Sequence, residues 1–220
     1  MSTNLTGQNI MDKLKVNEIF YTLQGEGYHV GMPSIFIRLS DCNLRCTFCD
    51  TEFLSGKMMT LEEIVTECQS FRGTHIVLTG GEPGAQDIGS LVQALKRAKY
   101  YIQIETNGMF KLPWGIDWVT CAPKTKPQSL NVEFYHEIKL VVNNGDKLPK
   151  LGSHKDRYNY PVNKKLCWVS PQNPLDHTQR IGLQTSSSVD NDNLNYCIGL
   201  IKNNPDWRLN TQQHKYWRID

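Results

Sequence analysis

Hydrophobic and polar residues alternate along this chain in two periods, one typical of β-strands and one typical of α-helices. Short apolar runs bounded by glycine, proline or polar residues predict strands, beginning with Val16–Tyr21 and Ile35–Leu39. Later strands are predicted on the same signal at His75–Thr79, Tyr101–Glu105, Asp117–Cys121, His136–Val142, Leu166–Val169 and Trp207–Leu209.

Three helices are predicted between these strands, each from apolar residues three and four positions apart. The first begins at Thr60, which forms a T-x-x-E capping box with Glu63. The apolar faces of the three helices are Leu61, Ile64, Val65 and Cys68; Ile88, Leu91, Val92 and Leu95; and Leu194, Cys197, Ile198 and Ile201. Strands that alternate with helices predict an α/β fold with about six parallel strands. Three helices are too few for an eight-fold barrel, so an incomplete TIM-like barrel is expected.

The unusual motifs of the chain follow directly after predicted strands. They are the cysteine loop after Ile35–Leu39, G-G-E-P at Gly80–Pro83, T-N-G at Thr106–Gly108, A-P-K at Ala122–Lys124 and S-P-Q-N-P at Ser170–Pro174. In open parallel sheets, ligands bind at the carboxyl ends of the strands. The positions of these motifs therefore predict a single site at that edge of the sheet.

Length and composition limit the protein classes that need to be considered. A chain of 220 residues suits one domain, and we expect a flexible segment at 1–15 followed by a single domain at 16–220. The net charge of +2 implies no strong attraction to nucleic acid or membranes. No apolar run has the length of a membrane span, and no signal-peptide region begins the sequence. With an odd number of cysteines, seven, the chain is expected to be cytoplasmic and reduced.

Cys42, Cys46 and Cys49 form a CxxxCxxC motif, whereas the other four cysteines lie far apart in apolar surroundings and are expected to be buried. Three thiolates suit a 4Fe–4S cluster with one iron left open for a small molecule, whereas a structural zinc site takes four ligands. The motif alone fits zinc about as well. G-G-E-P alone fits a tight turn, but the two motifs in this order, each after a strand, favour the cluster. Glycine at 80 and 81 would let the backbone approach an amino-acid-like ligand, and Glu82 could accept hydrogen bonds from its ammonium group.

These motifs resemble the radical S-adenosylmethionine superfamily, in which an aromatic residue, here Phe48, precedes the last cysteine. Within it, the sequence is similar to 7-carboxy-7-deazaguanine synthases over nearly the whole chain. The matching segments are E-I-F-Y-T-L-Q-G-E-G at Glu18–Gly27, I-F-I-R-L at Ile35–Leu39, C-D-T at Cys49–Thr51, T-G-G-E-P at Thr79–Pro83, Q-I-E-T-N-G at Gln103–Gly108 and Q-H-K-Y at Gln213–Tyr216. L-Q-G-E-G and H-K-Y distinguish this family from other radical enzymes.

The resemblance implies a lyase of queuosine and related 7-deazapurine biosynthesis. Such enzymes cleave S-adenosylmethionine reductively to a 5′-deoxyadenosyl radical, which takes a hydrogen atom from carbon 6 of 6-carboxy-5,6,7,8-tetrahydropterin. The ring contracts, ammonia leaves, 7-carboxy-7-deazaguanine forms, and S-adenosylmethionine is regenerated. The implied cofactors are therefore a 4Fe–4S cluster, S-adenosylmethionine and Mg²⁺. A low-potential electron donor such as flavodoxin or ferredoxin and a homodimer are also implied.

The resemblance assigns roles to individual residues and assigns none of them as a catalytic side chain. Cys42, Cys46 and Cys49 would hold the cluster, and Thr51 would ligate magnesium through its hydroxyl. Contacts to S-adenosylmethionine and the cluster are assigned to Phe48, Gly81, Glu82, Ala122, Pro123, Lys124, Ser170, Pro171, Gln172 and Asn173. Contacts to the substrate are assigned to Leu23, Gln24, Gly25, Glu26, Arg38, Thr79, His214 and Asp220.

Simpler interpretations exist for three of these residues and for the chain as a whole. Arg38 could form a strand-surface ion pair, Lys124 could be a surface lysine, and His214 could be a solvated or packing residue near the terminus. The chain could instead be an activase that installs a glycyl radical on a partner protein, although L-Q-G-E-G and H-K-Y speak against this. It could also be a non-enzymatic protein with a zinc-bound cysteine loop.

Overall fold

The structure is a computed structural model that describes residues 13–49, 51–124, 130–148, 166–172 and 190–219. The strands are β1 (Lys13–Leu23), β2 (Pro33–Leu39), β3 (Lys57–Thr60), β4 (His75–Gly80), β5 (Tyr101–Thr106), β6 (Trp118–Cys121), β7 (Glu137–Val142), β8 (Cys167–Pro171) and β9 (Trp207–Leu209). The helices are α1 (Leu61–Gln69), α2 (Gly89–Arg97), α3 (Asn191–Lys202) and the short α4 (Gln213–Trp217). Of the helices in this part of the chain, none has the length and apolar character that crossing a bilayer requires.

One sheet contains all the strands of the described residues, in the order β3-β1-β2-β4-β5-β6-β7-β8-β9. From β2 through β9 the seven neighbouring strands run parallel. The predicted α/β fold with a mostly parallel sheet is therefore confirmed. β1 differs from the expectation, because it runs antiparallel to both β2 and β3.

The two faces of the sheet differ in chemistry because strand side chains alternate. On one face, apolar side chains such as Ile37, Leu78 and Ile104 pack against α1 and α2 in the main core. A smaller core forms where Val169 of β8 packs with Cys197 of α3. The opposite face carries polar and charged side chains, and it is there that Gln103, Thr120, Glu137 and Lys139 make their hydrogen bonds and ion pairs.

The predicted helices are confirmed, and their starts follow from the sequence. Thr60 caps α1 through the expected capping box, with the Glu63 carboxylate accepting from the Thr60 N–H at 2.7 Å. The predicted apolar residues of α2 are buried, and Asp190 caps α3. All four cysteines outside the CxxxCxxC motif are buried, as predicted, at Cys68, Cys121, Cys167 and Cys197.

The amino-terminal boundary is the clearest correction to the sequence prediction. Residues 13–15 were expected in the flexible segment but belong to β1, where Lys13–Val16 pairs with Lys57–Thr60 of β3. β3 itself was not predicted. Leu14 and Val16 are buried while Lys13 is exposed, so burial of every second side chain keeps this stretch in the sheet.

Candidate functional site

The cysteine loop follows β2 at the carboxyl edge of the parallel strands. Cys42, Cys46 and Cys49 are half-buried. The Cys49 N–H donates to the Cys46 carbonyl at 3.2 Å, which closes a turn, and the Leu44 N–H lies 3.4 Å from the Cys42 sulfur. The loop therefore keeps three reduced thiols partly accessible beside one another, in contrast to the buried cysteines of the cores.

The electrostatics of this loop suit a cationic iron–sulfur group. Burial raises the pKa of Cys42, and the negative charges of Glu82, Cys49 and Cys46 raise it further, against the hydrogen bond from Leu44. A nearby cation would stabilise the thiolate form of Cys42 against burial and these negative charges. Iron–sulfur clusters supply such positive charge and bind thiolates. Within the described ranges, no group of three or more His, Cys, Asp or Glu side chains is arranged to hold a metal ion. The three cysteine thiols of the loop are therefore the groups that suit an iron–sulfur cluster.

The two glycines of G-G-E-P lie against the cysteine loop. The Gly81 N–H donates to the Leu39 carbonyl at 3.1 Å, and the Glu82 N–H donates to the Asp41 carbonyl at 3.0 Å. A Cβ on Gly81 would collide with the Asp41 carbonyl oxygen and would lie 2.8 Å from the Cys42 side chain. Only glycine allows this approach, so G-G-E-P and the cysteine loop form one packed unit.

Glu82 connects this unit to the T-N-G segment. Its side chain is 1% exposed, and it accepts hydrogen bonds from the Thr106 hydroxyl at 2.7 Å, the Asn107 N–H at 2.6 Å and the Gly84 N–H at 2.9 Å. Burial raises the pKa of Glu82, while these donors lower it. Asn107 in turn donates from its side-chain amide to Asn43 in the cysteine loop at 2.9 Å. The Glu82 carboxylate thus organises three strand-end loops.

The A-P-K and S-P-Q segments lie at the same edge of the sheet. The Ala122 N–H donates to the Thr106 carbonyl at 2.7 Å, and the Lys124 ammonium lies 5.6 Å from the ring centroid of Phe48 in the cysteine loop. Lys124 thus contacts a residue predicted to face the cofactor. Ser170 and Pro171 end β8, Gln172 follows them, and Asn173 lies outside the described residues.

The L-Q-G-E-G loop lies after β1 and reaches the polar face of the sheet. Gln24 is buried, and its amide lies 3.4 Å from the Glu105 carboxylate. The Gly25 carbonyl accepts a hydrogen bond from the Gln213 N–H at 2.9 Å. A Cβ on Gly25 would collide with the His214 ring, so this glycine lets the C-terminal segment approach. Q-G-E-G and Q-H-K-Y, separated by most of the sequence, are therefore in contact.

Glu26 takes part in a buried ion cluster with Lys139 and Glu105. Lys139 pairs with Glu26 and, at 2.9 Å, with Glu105, and the three side chains are only 12–16% exposed. Burial alone would raise the pKa of Glu26, but Lys139 and His214 outweigh it and lower the pKa to about 2. Burial raises the pKa of Glu105. Burial lowers the pKa of Lys139, but the two carboxylates raise it well above its usual value.

Five other predicted residues remain, four of which lie in the described part of the chain. Arg38 donates to Glu18 at 2.6 Å and lies over the Phe20 ring, which is the strand ion pair of the simpler interpretation. Thr79 stands beside Arg38 in the parallel β2–β4 pairing. Thr51 lies next to the cysteine loop, where its carbonyl oxygen is 3.7 Å from the Cys49 sulfur. Leu23 ends β1, and Asp220 lies outside the described residues.

The structure also brings to the site three residues that the sequence analysis did not select. Glu105 and Lys139 complete the ion cluster, and Asn210 donates to Ser170 at 2.7 Å. The alternation of Glu137 and Lys139 with apolar residues in β7 was the available signal for Lys139. Nothing local marks Asn210, which follows an edge strand.

Comparison with known proteins agrees with this geometry. The Radical SAM superfamily model matches residues 37–113. A 7-carboxy-7-deazaguanine synthase of Bacteroides thetaiotaomicron is 38% identical over 201 residues, covering 91% of this chain and 96% of that protein. One from Neisseria meningitidis is 32% identical, covering 94% of both chains. The crystal structure of QueE from Escherichia coli superposes with a TM-score of 0.63 at 26% identity, covering 92% of this chain and 95% of the other.

The identity to these relatives extends over almost the full length of both proteins, and L-Q-G-E-G and Q-H-K-Y, the segments that distinguish the family, are in contact. This chain belongs to the 7-carboxy-7-deazaguanine synthase family of the radical S-adenosylmethionine superfamily.

Proposed function

We propose that this protein is a carbon–nitrogen lyase that converts 6-carboxy-5,6,7,8-tetrahydropterin to 7-carboxy-7-deazaguanine with loss of ammonia, for queuosine or related 7-deazapurine synthesis. The observation that carries the proposal is the 38% identity to a 7-carboxy-7-deazaguanine synthase across 96% of that protein. The meeting of Q-G-E-G with Q-H-K-Y at the polar face supports it further. The sheet is proposed to curve into an incomplete barrel, with the polar face inside.

Cys42, Cys46 and Cys49 are proposed to hold the cluster, which would supply the electron for reductive cleavage of S-adenosylmethionine, a cofactor that would be regenerated in each cycle. Gly81 brings backbone close to it, and Glu82 holds the neighbouring loops in place. Ala122–Lys124, Ser170–Asn173 and Phe48 are proposed as further contacts to the cofactor.

The substrate is proposed to bind at the Q-G-E-G side. Leu23, Gln24, Gly25 and Glu26 contact the pterin, and the ionised Glu26 accepts hydrogen bonds from its guanidine-like N–H groups. Other substrate contacts are assigned to Arg38, Thr79, His214 and Asp220. Arg38 exchanges Glu18 for the substrate carboxylate, and Thr51 ligates a Mg²⁺ ion near that carboxylate. A low-potential donor such as flavodoxin or ferredoxin supplies electrons, and the enzyme works in the cytoplasm as a homodimer.

The test is anaerobic turnover of 6-carboxytetrahydropterin by the reconstituted protein with a chemical reductant, with and without Mg²⁺. We expect 7-carboxy-7-deazaguanine and ammonia from the wild type, and neither cluster nor product from Cys46→Ala. Thr51→Ala should weaken only the response to magnesium. Cys68→Ala, in the buried core, is the matched control and should keep both cluster and turnover.

Two results would contradict the proposal. Full activity of Cys46→Ala would remove the cluster from the reaction. A cluster-loaded wild type that cleaves S-adenosylmethionine but makes no deazapurine from the pterin would favour the glycyl-radical activase instead.

A further inference from the structure

Asn210 is a buried asparagine whose side chain binds two parts of the proposed active site. It follows β9 and is 5% exposed. Its backbone N–H donates to the Val169 carbonyl at 2.8 Å, and its side-chain oxygen accepts from the Gly27 N–H at 2.8 Å. Its side-chain nitrogen donates to the Ser170 hydroxyl at 2.7 Å and lies 3.4 Å from the Glu26 carboxylate.

These contacts join the two halves of the site. Glu26 and Gly27 belong to the Q-G-E-G loop, which is assigned to the substrate. Ser170 belongs to the S-P-Q-N loop, which is assigned to S-adenosylmethionine. The side chain of Asn210 therefore lies between a proposed substrate contact and a proposed cofactor contact, bonded to both loops.

The chemistry at this position requires a carboxamide. The Gly27 N–H needs an acceptor, whereas the Glu26 carboxylate needs a donor, and an asparagine side chain supplies both. Aspartate would keep the acceptor but would place a second negative charge beside Glu26. Alanine would leave the buried Gly27 N–H without its acceptor, which costs more than the loss of an exposed hydrogen bond.

The C-terminal segment strengthens this connection. The Gln213 N–H donates to the Gly25 carbonyl at 2.9 Å, and the His214 ring lies against Gly25. Residues 210–214 are thus fixed to the Q-G-E-G loop at both ends. Asn210 therefore connects Ser170 to a loop whose other end is also held by the C-terminal segment.

We propose that Asn210 is a positioning residue that couples S-adenosylmethionine binding to pterin binding. This inference rests on the proposed function. When the cofactor fixes Ser170, Asn210 is held in place, and the Q-G-E-G loop is ordered before the pterin arrives. By linkage, the pterin must then increase the affinity for the cofactor by the same factor.

The test is isothermal titration of the cluster-loaded protein with S-adenosylmethionine, anaerobically and without reductant so that the cofactor is not cleaved. Titrations are run with and without saturating 6-carboxytetrahydropterin. For the wild type we expect at least about fivefold tighter cofactor binding with pterin present, the lower end of typical couplings. Asn210→Ala and Asn210→Asp should reduce this ratio to roughly twofold or less. Ser170→Ala removes the same bond from its other end and should lower the ratio in the same way.

Asn203→Ala is the matched control, because Asn203 is exposed at the end of α3 and its side-chain amide donates to the local Gly199 carbonyl at 3.1 Å, away from the Q-G-E-G loop. It should keep the wild-type ratio. The inference is overturned if the wild type shows no coupling, if folded Asn210 or Ser170 variants keep the full ratio, or if Asn203→Ala loses it equally. A turnover assay distinguishes failure of the coupling role from failure of the proposed function. A wild type that makes deazapurine but shows no coupling contradicts only the role of Asn210. A wild type that makes no deazapurine contradicts the proposed function.

Discussion

Replacing Lys139 by methionine removes the only ammonium group that the structure shows paired with Glu26 and Glu105 among its described residues. Methionine keeps most of the volume of the side chain. The three charged groups are 12–16% exposed, so the energetics of buried rather than surface ion pairs apply. Removing one partner of a buried pair costs about 3–5 kcal/mol, because the remaining charge is left uncompensated. For a chain of this length, that cost corresponds to a melting temperature lower by roughly 6–20 °C.

The loss should depend on pH in a direction that follows from the pKa shifts. In the wild type the pKa of Glu26 is lowered from 4.5 to about 2, so its ion pair stabilises the fold above pH 4.5, and this contribution is lost as the pH falls towards 2. In Lys139→Met the ammonium group no longer opposes burial, so we expect the pKa of both Glu26 and Glu105 to rise, although His214 and Gln212 still lower that of Glu26. The native variant then binds more protons than the unfolded chain, so its stability rises as the pH falls. The difference from the wild type should be largest near about pH 8 and should shrink near about pH 5.

The assay is thermal unfolding of the cluster-loaded proteins under anaerobic conditions at the two pH values. Lys96→Met is the control, because Lys96 pairs with Asp117 at 2.8 Å near the surface, with 38% and 29% of the two side chains exposed. Such pairs contribute at most about 1 kcal/mol. Combining Lys139→Met with Glu26→Gln and Glu105→Gln should recover much of the loss, since no charge remains buried. A loss in Lys139→Met that is no larger than in Lys96→Met, or that is equal at both pH values, would refute the argument.

Two further predictions concern the cysteine loop and the opposite end of the strands. Gly81→Ala should lower the iron bound per chain, because the new methyl group meets the Asp41 carbonyl and Cys42, whereas Gly199→Ala, where a Cβ meets nothing within 4 Å, should keep full iron content. His75 has its pKa lowered from 6.5 to about 4 by burial and by His29, so stability should fall as the pH drops from 6.5 towards 4, the range in which only the unfolded chain binds the proton. Urea unfolding across that range should show a smaller decline in His75→Leu, and an unchanged decline would contradict the assignment.

Local patterns were sufficient to predict α1, α2 and α3 and most of the strands, whereas the five-residue α4 was not predicted. The capping box at Thr60 and the apolar spacing of α2 depend on residues within one or two turns, and both appear as expected. β3 has only four residues and lies at the edge of the sheet, so its sequence carries little periodic signal. The antiparallel direction of β1 depends on pairing with Pro33–Leu39 across a loop, which no local pattern specifies.

The site was predicted less completely, because its contacts join residues far apart in sequence. The cysteine loop and G-G-E-P were recognisable from their residues alone. Lys139 meets Glu26 across 113 positions, and Asn210 meets Gly27 across 183. Such partners depend on the register of the whole sheet. Glu137 and Lys139, which alternate with apolar residues, were the hint that β7 contributes charge to the site.

The charged groups of the site already have protein partners, so a ligand that takes over such a group exchanges one contact for another. How easily each exchange occurs depends on burial. Arg38 is paired with Glu18, with 24% and 51% of the two side chains exposed, so this pair contributes little and a substrate carboxylate could replace it at small cost. Glu26 is held by buried Lys139, and Glu82 by three donors, so breaking either arrangement would leave buried charge unpaired. It follows that Arg38 is suited to change partners on binding, whereas Glu26 and Glu82 keep theirs, and the proposed hydrogen bonds from the pterin would add to those that the Glu26 carboxylate already accepts.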